Sequence, residues 1–393
     1  MRVLLITDWN SGRGGVEAYI TWLQAGLRAA GDEVRLLTSS VGDGGNGSAD
    51  VVAYGTDRLA AQVFLQIFNP FAVARVHTTL RTFHPDVVFV NMFVHHLSPA
   101  IFAVLRSLPT VLGVSDYKCV CPIGTKLLPD GSRCTMPAGW VCYRTGCVSL
   151  PHWLRDRPRY ALLRAGVRQV DRVLACGHWL QRELDSDGIA SEVITWPVPP
   201  VGPGFRHVPA AEPVFVFCGR LEVEKGAALL LRAFARVRRD VSRAHLRIIG
   251  RGTERAHLEQ LAGTLGLDGA VTFMGWLNPE QVERQLVDAW ALVAPSLWAE
   301  PLGLVAIEAI VRGVPVVASA SGGFGETVEH GVSGLLFPNG DNEALADRML
   351  AIVRGHAFPA HTIPLDVVSR VAEAHDLRRH VDRMRGILSE VGR

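Results

Sequence analysis

Short unbroken runs of apolar residues alternate with longer stretches of helical periodicity along most of the 393-residue chain. Unbroken apolar runs are typical of strands that are buried on both faces of a parallel sheet. Strands that alternate with helices in this way predict βαβ units, so we expect an α/β fold built on parallel sheets. The predicted strands cover residues 3–6, 34–38, 51–54, 87–90, 110–114, 172–175, 192–195, 214–218, 245–249, 270–274, 291–294, 315–319 and 334–337.

A stretch dominated by proline and glycine, WPVPPVGPG at residues 196–204, divides the alternating pattern into two halves. Such a stretch is typical of a linker, and the chain length also favours two domains. We expect an N-terminal domain over 1–200, with an irregular insertion at about 116–151, and a second domain over 201–364. The arginine-rich segment 365–393 is predicted to be helical and to pack back toward the N-terminal domain.

Composition and charge exclude several classes of function. The net charge is +2 and hydrophobic residues make up 48% of the chain, so nothing indicates a nucleic-acid partner. The first strand begins at once, no signal peptide precedes it, and no segment predicts a transmembrane helix, so we expect a cytoplasmic protein. An apolar helical segment over 59–83 and arginines over 155–172 suggest peripheral contact with the inner membrane face. The alternative is a core helix and a solvated one.

Five of the seven cysteines fall within the insertion, which is rich in glycine and proline and too polar and irregular to predict a helix. A cytoplasmic chain disfavours disulfides, so thiolate coordination of a structural zinc ion by Cys121, Cys134, Cys142 and Cys147 is one interpretation. Disulfides and free thiols remain open, because the segment has no Cys-x2-Cys pair.

Several predicted strands of the second half lead directly into glycine-containing turns. Open α/β sheets bind ligands at the carboxyl ends of their strands, where these turns lie. Arg220 and Lys225 follow one strand, and a guanidinium together with an ammonium suits a diphosphate. Gly250 follows the next strand, and Leu277 ends an apolar, aromatic segment that is apt for stacking a base.

The loop PSLWAEPLGLVAIEA at residues 295–309 links a buried strand to a helix. The first N–H groups of that helix, around Leu302, Gly303 and Leu304, predict an anion site, and the glycine lets a ligand approach the backbone. Glu300 and Glu308 bracket the site. Two carboxylates with a phosphate site between them suit a nucleotide-sugar, although this spacing alone also fits ordinary helix-end acids.

These motifs resemble the retaining sugar transferases of glycosyltransferase family four (group 1), whose fold is GT-B. The resemblance rests on GRLEVEKG, PSLWAEPLGLVAIEA, GVPVVAS, GGFGE and HGVSGLLF in order, and more loosely on RGGVEAY near the N-terminus. It implies two Rossmann-like doubly wound domains facing across a cleft. The chain has Ser115 and Asn91 where many relatives have histidine, so Asp116, His95 and His96 are the substitutes for the acceptor-side group.

The resemblance also implies a role for each matching residue. Arg220 and Lys225 would hold the donor diphosphate, Glu308 the ribose hydroxyls, and Glu300 the transferred sugar. Backbone N–H groups at Leu302, Gly303 and Leu304 would contact sugar and phosphate. Gly15, in the first domain, would approach the phosphate or the acceptor. Because these cations and the helix N-terminus neutralise the phosphates, no metal cofactor is required for catalysis.

The resemblance therefore predicts a retaining glycosyltransferase that uses a nucleoside-diphosphate sugar, of which UDP-sugar is one kind. A sugar-nucleotide epimerase of the same fold and a non-catalytic nucleotide-sugar binder are the alternatives. Two classes of acceptor stay open: a lipid-linked glycan or polysaccharide precursor, and a small natural product.

Overall fold

A computed structural model describes residues 1–9, 15–41, 49–91 and 96–393 of the chain. The chain forms two compact units. The first contains Met1–Pro197 together with Leu377–Arg393, and the second contains Val198–Asp376. The 196–204 linker motif therefore lies at the junction of the two units.

The first unit is built on a parallel sheet of seven strands in the order β3-β2-β1-β4-β5-β6-β7. The order reverses at β1, as in doubly wound folds, and residues 3–6 of the central strand are fully buried. The strands are β1 (Arg2–Ile6), β2 (Glu33–Ser39), β3 (Val51–Ala53), β4 (Val87–Asn91), β5 (Thr110–Val114), β6 (Arg172–Ala175) and β7 (Glu192–Val193).

Helices flank this sheet. Asn69 caps one of them by accepting a hydrogen bond from the N–H of Ala72, and Pro70 occupies its first position. The helices are α1 (Gly15–Ala29), α2 (Leu59–Leu65), α3 (Pro70–Phe83), α4 (Phe102–Leu105), α5 (Trp140–Arg144), α6 (Leu150–Val167) and α7 (His178–Ser186), with a 3-10 turn at Pro99–Ile101.

One of these helices, α5, lies where the sequence predicts none, and α6 begins five residues before the predicted basic helix over 155–172. The insertion contains α5 and the start of α6, although its composition argues against a helix. Aromatic packing stabilises α5 where the sequence has no amphipathic pattern. The ring of Trp140 lies 4.8 Å from the rings of both Tyr143 and Trp153.

The second unit is built on a parallel sheet of six strands in the order β10-β9-β8-β11-β12-β13. The order reverses at β8, so the loops that follow β8 and β11 leave the sheet side by side. The strands are β8 (Val214–Cys218), β9 (His245–Ile249), β10 (Val271–Gly275), β11 (Ala291–Ala294), β12 (Val316–Ser319) and β13 (Gly334–Phe337).

Apolar cores cover both faces of this second sheet. Asn278 begins one flanking helix with a capping box that it shares with Gln281. The helices are α8 (Ala227–Asp240), α9 (Arg255–Thr264), α10 (Pro279–Leu286), α11 (Leu304–Ile310), α12 (Phe324–Thr327), α13 (Asn342–Val353) and α14 (Leu365–Ala374), with a 3-10 turn at Val223–Lys225. All thirteen predicted strands are present, which confirms the α/β fold with two doubly wound sheets.

The C-terminal segment 365–393 consists of two helices rather than one. Helix α14 belongs to the second unit, and α15 (Leu377–Val391) belongs to the first, where it packs on α1. His380 anchors α15 because one ring nitrogen lies 3.1 Å from the Tyr19 hydroxyl and the other 2.8 Å from the Thr195 carbonyl oxygen. Within the described ranges, no helix is long and apolar enough to cross a membrane.

Candidate active site

Loops from neighbouring strands meet at the carboxyl edge of the second sheet. Backbone hydrogen bonds hold the first two together: Gly219 donates to the Ile249 carbonyl, and Leu221 donates to the Arg251 carbonyl. Gly250, which was predicted to bind the nucleotide-sugar, lies in this contact with φ +145°. A Cβ there would overlap the Gly219 carbonyl oxygen. Glycine is therefore required for this close approach.

The loop after β11 is tied to the loop after β8. Leu297 donates its N–H to the Glu224 carbonyl at 2.8 Å. A Cβ on Gly226, whose φ is +71°, would lie 2.0 Å from the Pro295 oxygen. The backbones of the two predicted phosphate-binding motifs thus touch, although 75 residues separate Lys225 from Glu300.

The side chains of Lys225 and Glu300 form the centre of this edge. The Lys225 ammonium lies 2.7 Å from Glu300 Oε1 and 5.0 Å above the centre of the Trp298 ring. The Ser296 hydroxyl donates to the same carboxylate oxygen at 2.6 Å, and Ser319 donates to the Ser296 carbonyl at 2.8 Å. The ammonium is therefore held in one position, over an aromatic face and against a carboxylate.

The ionisation of Glu300 follows from these contacts. Burial acts to raise its pKa, but the ammonium of Lys225 and the hydroxyl of Ser296 outweigh burial, so the pKa lies below the ordinary value. Glu300 is thus a fixed anion at neutral pH. Ser296, Trp298 and Ser319 were not among the predicted site residues, although the first two lie within the PSLWAEP motif and Ser319 bonds to it.

Glu308 has the opposite character. Burial raises its pKa to about 7, and the nearby charge of Arg312 only partly opposes this effect. The Arg312 guanidinium is engaged elsewhere, because it donates to Glu283 at 2.6 and 2.9 Å and to the Glu308 backbone carbonyl. The Glu308 side chain is therefore an acid that changes its charge near neutral pH.

Arg220 forms its ion pair with Glu224, whereas Lys225 pairs with Glu300. Its guanidinium is exposed and lies 3.0 Å from a carboxylate oxygen of Glu224. Since an exposed ion pair of this kind contributes little to stability, Arg220 is available to bind an anion.

The turn into α11 contains three neighbouring residues that were predicted to bind the nucleotide-sugar. Leu302 and Gly303 are buried, and Leu304 is the first residue of the helix. Gly303 has φ +85°, and a Cβ there would lie 2.5 Å from the Phe324 ring. The loop after β12 completes the turn, because Gly323 donates to the Glu300 carbonyl. Leu277, the residue predicted to contact the base, is half-buried and follows β10, the edge strand of the sheet.

The first unit carries the other predicted site residues. Asp116 follows β5 and accepts the N–H of Lys118 at 2.8 Å. Burial raises its pKa, with Lys118 opposing the shift and Asp8 adding to it. Gly15, the first residue of α1, is exposed, and the glycine loop before it (residues 10–14) lies outside the described residues. His95 also lies outside them.

Two buried side chains follow or end β4 in the first unit. The N–H of His96 donates to Asp8 at 3.1 Å, and its ring packs edge-on against Trp9. Asn91 is fully buried, and neither polar atom of its side chain has a hydrogen-bond partner among the described residues. Both residues thus place polar groups at the carboxyl edge of the first sheet.

The four cysteines predicted to bind zinc line one small cavity within the insertion. Among the residues that the structure describes, no group of three or more His, Cys, Asp or Glu side chains is placed to hold a metal ion. All seven cysteines are free, and burial raises the pKa of Cys142. Apolar neighbours explain the packing, since thiols behave as small apolar groups. The cavity residues include Cys121, Cys134, Cys142, Cys147, Ile123 and Val148.

Comparisons with known proteins agree with this geometry. The family model "Glycosyl transferases group 1" matches residues 206–363, and "Glycosyl transferase 4-like domain" matches residues 14–199. An uncharacterised glycosyltransferase of Methanocaldococcus jannaschii is 38% identical over 143 residues, which are 36% of each chain. The chain thus spans about a third of that relative. Glycogen synthase of Mycobacterium tuberculosis is 28% identical, with 90% of this chain and 86% of that protein covered.

Solved structures share the fold over nearly the whole chain. Sucrose-phosphate synthase from Thermosynechococcus elongatus has a TM-score of 0.76 at 22% identity, with 99% of this chain and 98% of that chain covered. HepE of Anabaena, solved in complex with UDP-glucose, has a TM-score of 0.68 at 19% identity, with 99% of each chain covered. The chain belongs to the group 1, family-four glycosyltransferases of GT-B fold.

Proposed function

We propose that the protein transfers a glycosyl group from a nucleoside-diphosphate sugar to an acceptor hydroxyl, with retention of anomeric configuration. The observation that carries this proposal is the Lys225–Glu300 pair, held by Ser296 and Trp298 where the loops after β8 and β11 meet. A positioned ammonium beside a carboxylate can neutralise a leaving diphosphate while the carboxylate holds sugar hydroxyls.

Each side chain has a distinct part in the proposed reaction. Lys225 and the exposed Arg220 bind the diphosphate, and Glu300 accepts hydrogen bonds from the sugar. Glu308 accepts hydrogen bonds from the ribose hydroxyls, and the backbone around Gly303 contacts sugar and phosphate. The nucleoside diphosphate is the leaving group, and negative charge develops on it as the bond to the sugar breaks. The residues therefore catalyse the transfer by positioning the reactants and neutralising that charge.

The proposed chemistry balances without a further reactant. The bond between the anomeric carbon and the diphosphate oxygen breaks, and a bond to the acceptor oxygen forms on the same face. The acceptor proton passes to the departing phosphate oxygen, so no enzyme nucleophile is needed. The solved complex of HepE with UDP-glucose supports a UDP-sugar as the donor to test first.

A panel of UDP-, GDP- and ADP-sugars tests the proposal, read by thermal shift and by slow acceptor-free hydrolysis. A donor at a hundredfold excess over its dissociation constant should stabilise the protein by about 2.7 kcal/mol. Lys225→Ala should abolish both the shift and the hydrolysis. Arg243→Ala is the matched control, because it removes an exposed cation from the opposite, amino edge of the same sheet.

The panel also separates the alternatives. A non-catalytic binder would show the shift and no hydrolysis or transfer, and an epimerase would convert the donor into its sugar epimer. No shift with any donor, or equal loss in both variants, contradicts the proposal.

A further inference from the structure

Helix α2 and the turn that follows it are apolar, yet Ala60, Phe64 and Phe68 are exposed and the other residues of 60–68 are only half-buried. Over residues 60–68, all of which are described, no side chain is buried. The helix and the following turn nevertheless read AAQVFLQIF, with seven apolar residues out of nine. Such a composition is typical of a buried helix, so this exposure calls for a covering surface.

Exposed aromatic rings continue this surface beyond α2. Phe68 lies beyond the end of α2, and its N–H donates to the Phe64 carbonyl at 3.2 Å, so the two residues stand one helical turn apart. Phe71, the second residue of α3, follows three residues after Phe68, and its ring lies 5.3 Å from that of Tyr54, edge to face. The exposed fractions are 73% for Phe64, 54% for Phe68, 57% for Phe71 and 49% for Tyr54. These four residues are called the aromatic patch.

The segment that carries most of the aromatic patch contains arginine and no acid, although Asp57 and Asp86 flank it. Between residues 58 and 85 the sequence contains Arg58, Arg75 and Arg81 and no Asp or Glu. All three arginines are exposed, and Arg75 lies on the same face of α3 as Phe71, one turn along. Exposed aromatic and aliphatic side chains flanked by arginine match the chemistry of segments that lie in the interface of an anionic bilayer.

We propose that the aromatic patch docks on the surface of an anionic lipid bilayer. A second copy of the chain fits less well, because a twofold interface would bring the same arginines of both copies together. A bilayer offers the opposite charge and an apolar layer for the phenyl rings.

The patch is rigidly joined to the ligand edge of the first sheet. The buried Asn69 side chain donates to the Tyr54 carbonyl at 2.8 Å and to the His96 carbonyl at 2.7 Å. Its N–H donates to the Ser98 hydroxyl at 3.0 Å. Docking would therefore hold His96 and Ser98 close to the lipid surface. If the proposed function is right, on which this step rests, the acceptor is presented from the membrane.

Vesicle flotation of the full chain tests the docking, with phosphatidylcholine vesicles and vesicles in which part of the lipid is phosphatidylglycerol. We expect binding to the anionic vesicles, which weakens as salt increases. The double variant Phe64→Ser/Phe68→Ser should lower the partition coefficient at least tenfold, and Arg58→Gln/Arg81→Gln should lower it severalfold. Leu365→Ser, a control that removes an apolar side chain 77% exposed on α14 of the second unit, should bind as the wild type does.

Two outcomes overturn the proposal. One is wild-type protein that does not float with anionic vesicles at low salt, or a phenylalanine variant that floats equally well. The other is a phenylalanine variant that changes from dimer to monomer by light scattering, which would make the patch a self-interface. Donor-induced thermal shift should be the same in the wild type and the phenylalanine variant, so failure of docking is distinguishable from failure of the proposed function.

Discussion

Replacing Glu308 by glutamine should make the protein more stable at pH 8 and raise its stability much less at pH 5. Burial raises the pKa of Glu308 from 4.5 to about 7. The unfolded chain releases this proton near the ordinary value, whereas the folded chain keeps it up to about 7. Stability contributed by the protonated form is therefore lost as the pH rises through this window.

The size of the effect follows from the difference between the two pKa values. Above pH 7 the charged Glu308 lowers the free energy of unfolding of the wild type by on the order of 3 kcal/mol at most. Because glutamine stays neutral, Glu308→Gln removes this cost. For a unit of this size each kcal/mol corresponds to about 2–4 °C in the melting temperature, so the variant should melt several degrees higher at pH 8.

Thermal and urea unfolding of both proteins at pH 5 and pH 8 measures this difference. Glu259→Gln is the control, since Glu259 is exposed on α9 and pairs only with Arg255 at 2.8 Å among the ion pairs of the described residues. It should change stability by less than about 0.5 kcal/mol at either pH. In the proposed function the Glu308 variant should also lose donor affinity while it gains stability. If Glu308→Gln stabilises the protein relative to the wild type no more at pH 8 than at pH 5, the reasoning is refuted.

Three further substitutions probe the same edge of the second sheet. Lys225→Met should destabilise the protein by about 3 kcal/mol at neutral pH, because it leaves the Glu300 carboxylate without its partner, and by less in acid, where Glu300 protonates. Urea titrations at pH 4 and pH 7.5 measure the two losses, and equal losses contradict this expectation. Gly250→Ala should cost at least 1–3 kcal/mol and weaken donor binding, because the added Cβ meets the Gly219 carbonyl oxygen; unchanged calorimetric melting would count against the described contact. Arg220→Gln should leave stability within about 0.5 kcal/mol but lower donor turnover at least tenfold, and full turnover would remove Arg220 from the proposed site.

The strands could be predicted because parallel strands buried on both faces leave unbroken apolar runs in the sequence. The helices of the insertion could not, because α5 is stabilised by the rings of Trp140, Tyr143 and Trp153 rather than by an amphipathic period. The break between α14 and α15 was also missed. It lies at His375, whose carbonyl accepts the N–H of Val198 from a distant part of the chain.

The location of the candidate site could be predicted, but its pairing could not. Lys225 and Glu300 were both placed after strands, where a parallel sheet gathers its loops. Their ion pair depends on β8 and β11 being neighbours, although β9 and β10 lie between them in the sequence. Ser296 was missed because a serine in a loop carries no signal until its partner is known. The zinc prediction rested on cysteine counting, which does not fix where thiols point.

Hydrogen exchange of the full chain with and without a bound nucleoside diphosphate tests the central claim most directly. UDP, GDP and ADP would each be added at saturating concentration, and exchange followed by mass spectrometry. The account predicts protection at residues 219–226, 296–304 and 321–326, and loss of that protection in Lys225→Ala. Protection confined to other segments, or none with any of the three nucleotides, would contradict a donor site at this edge of the second sheet.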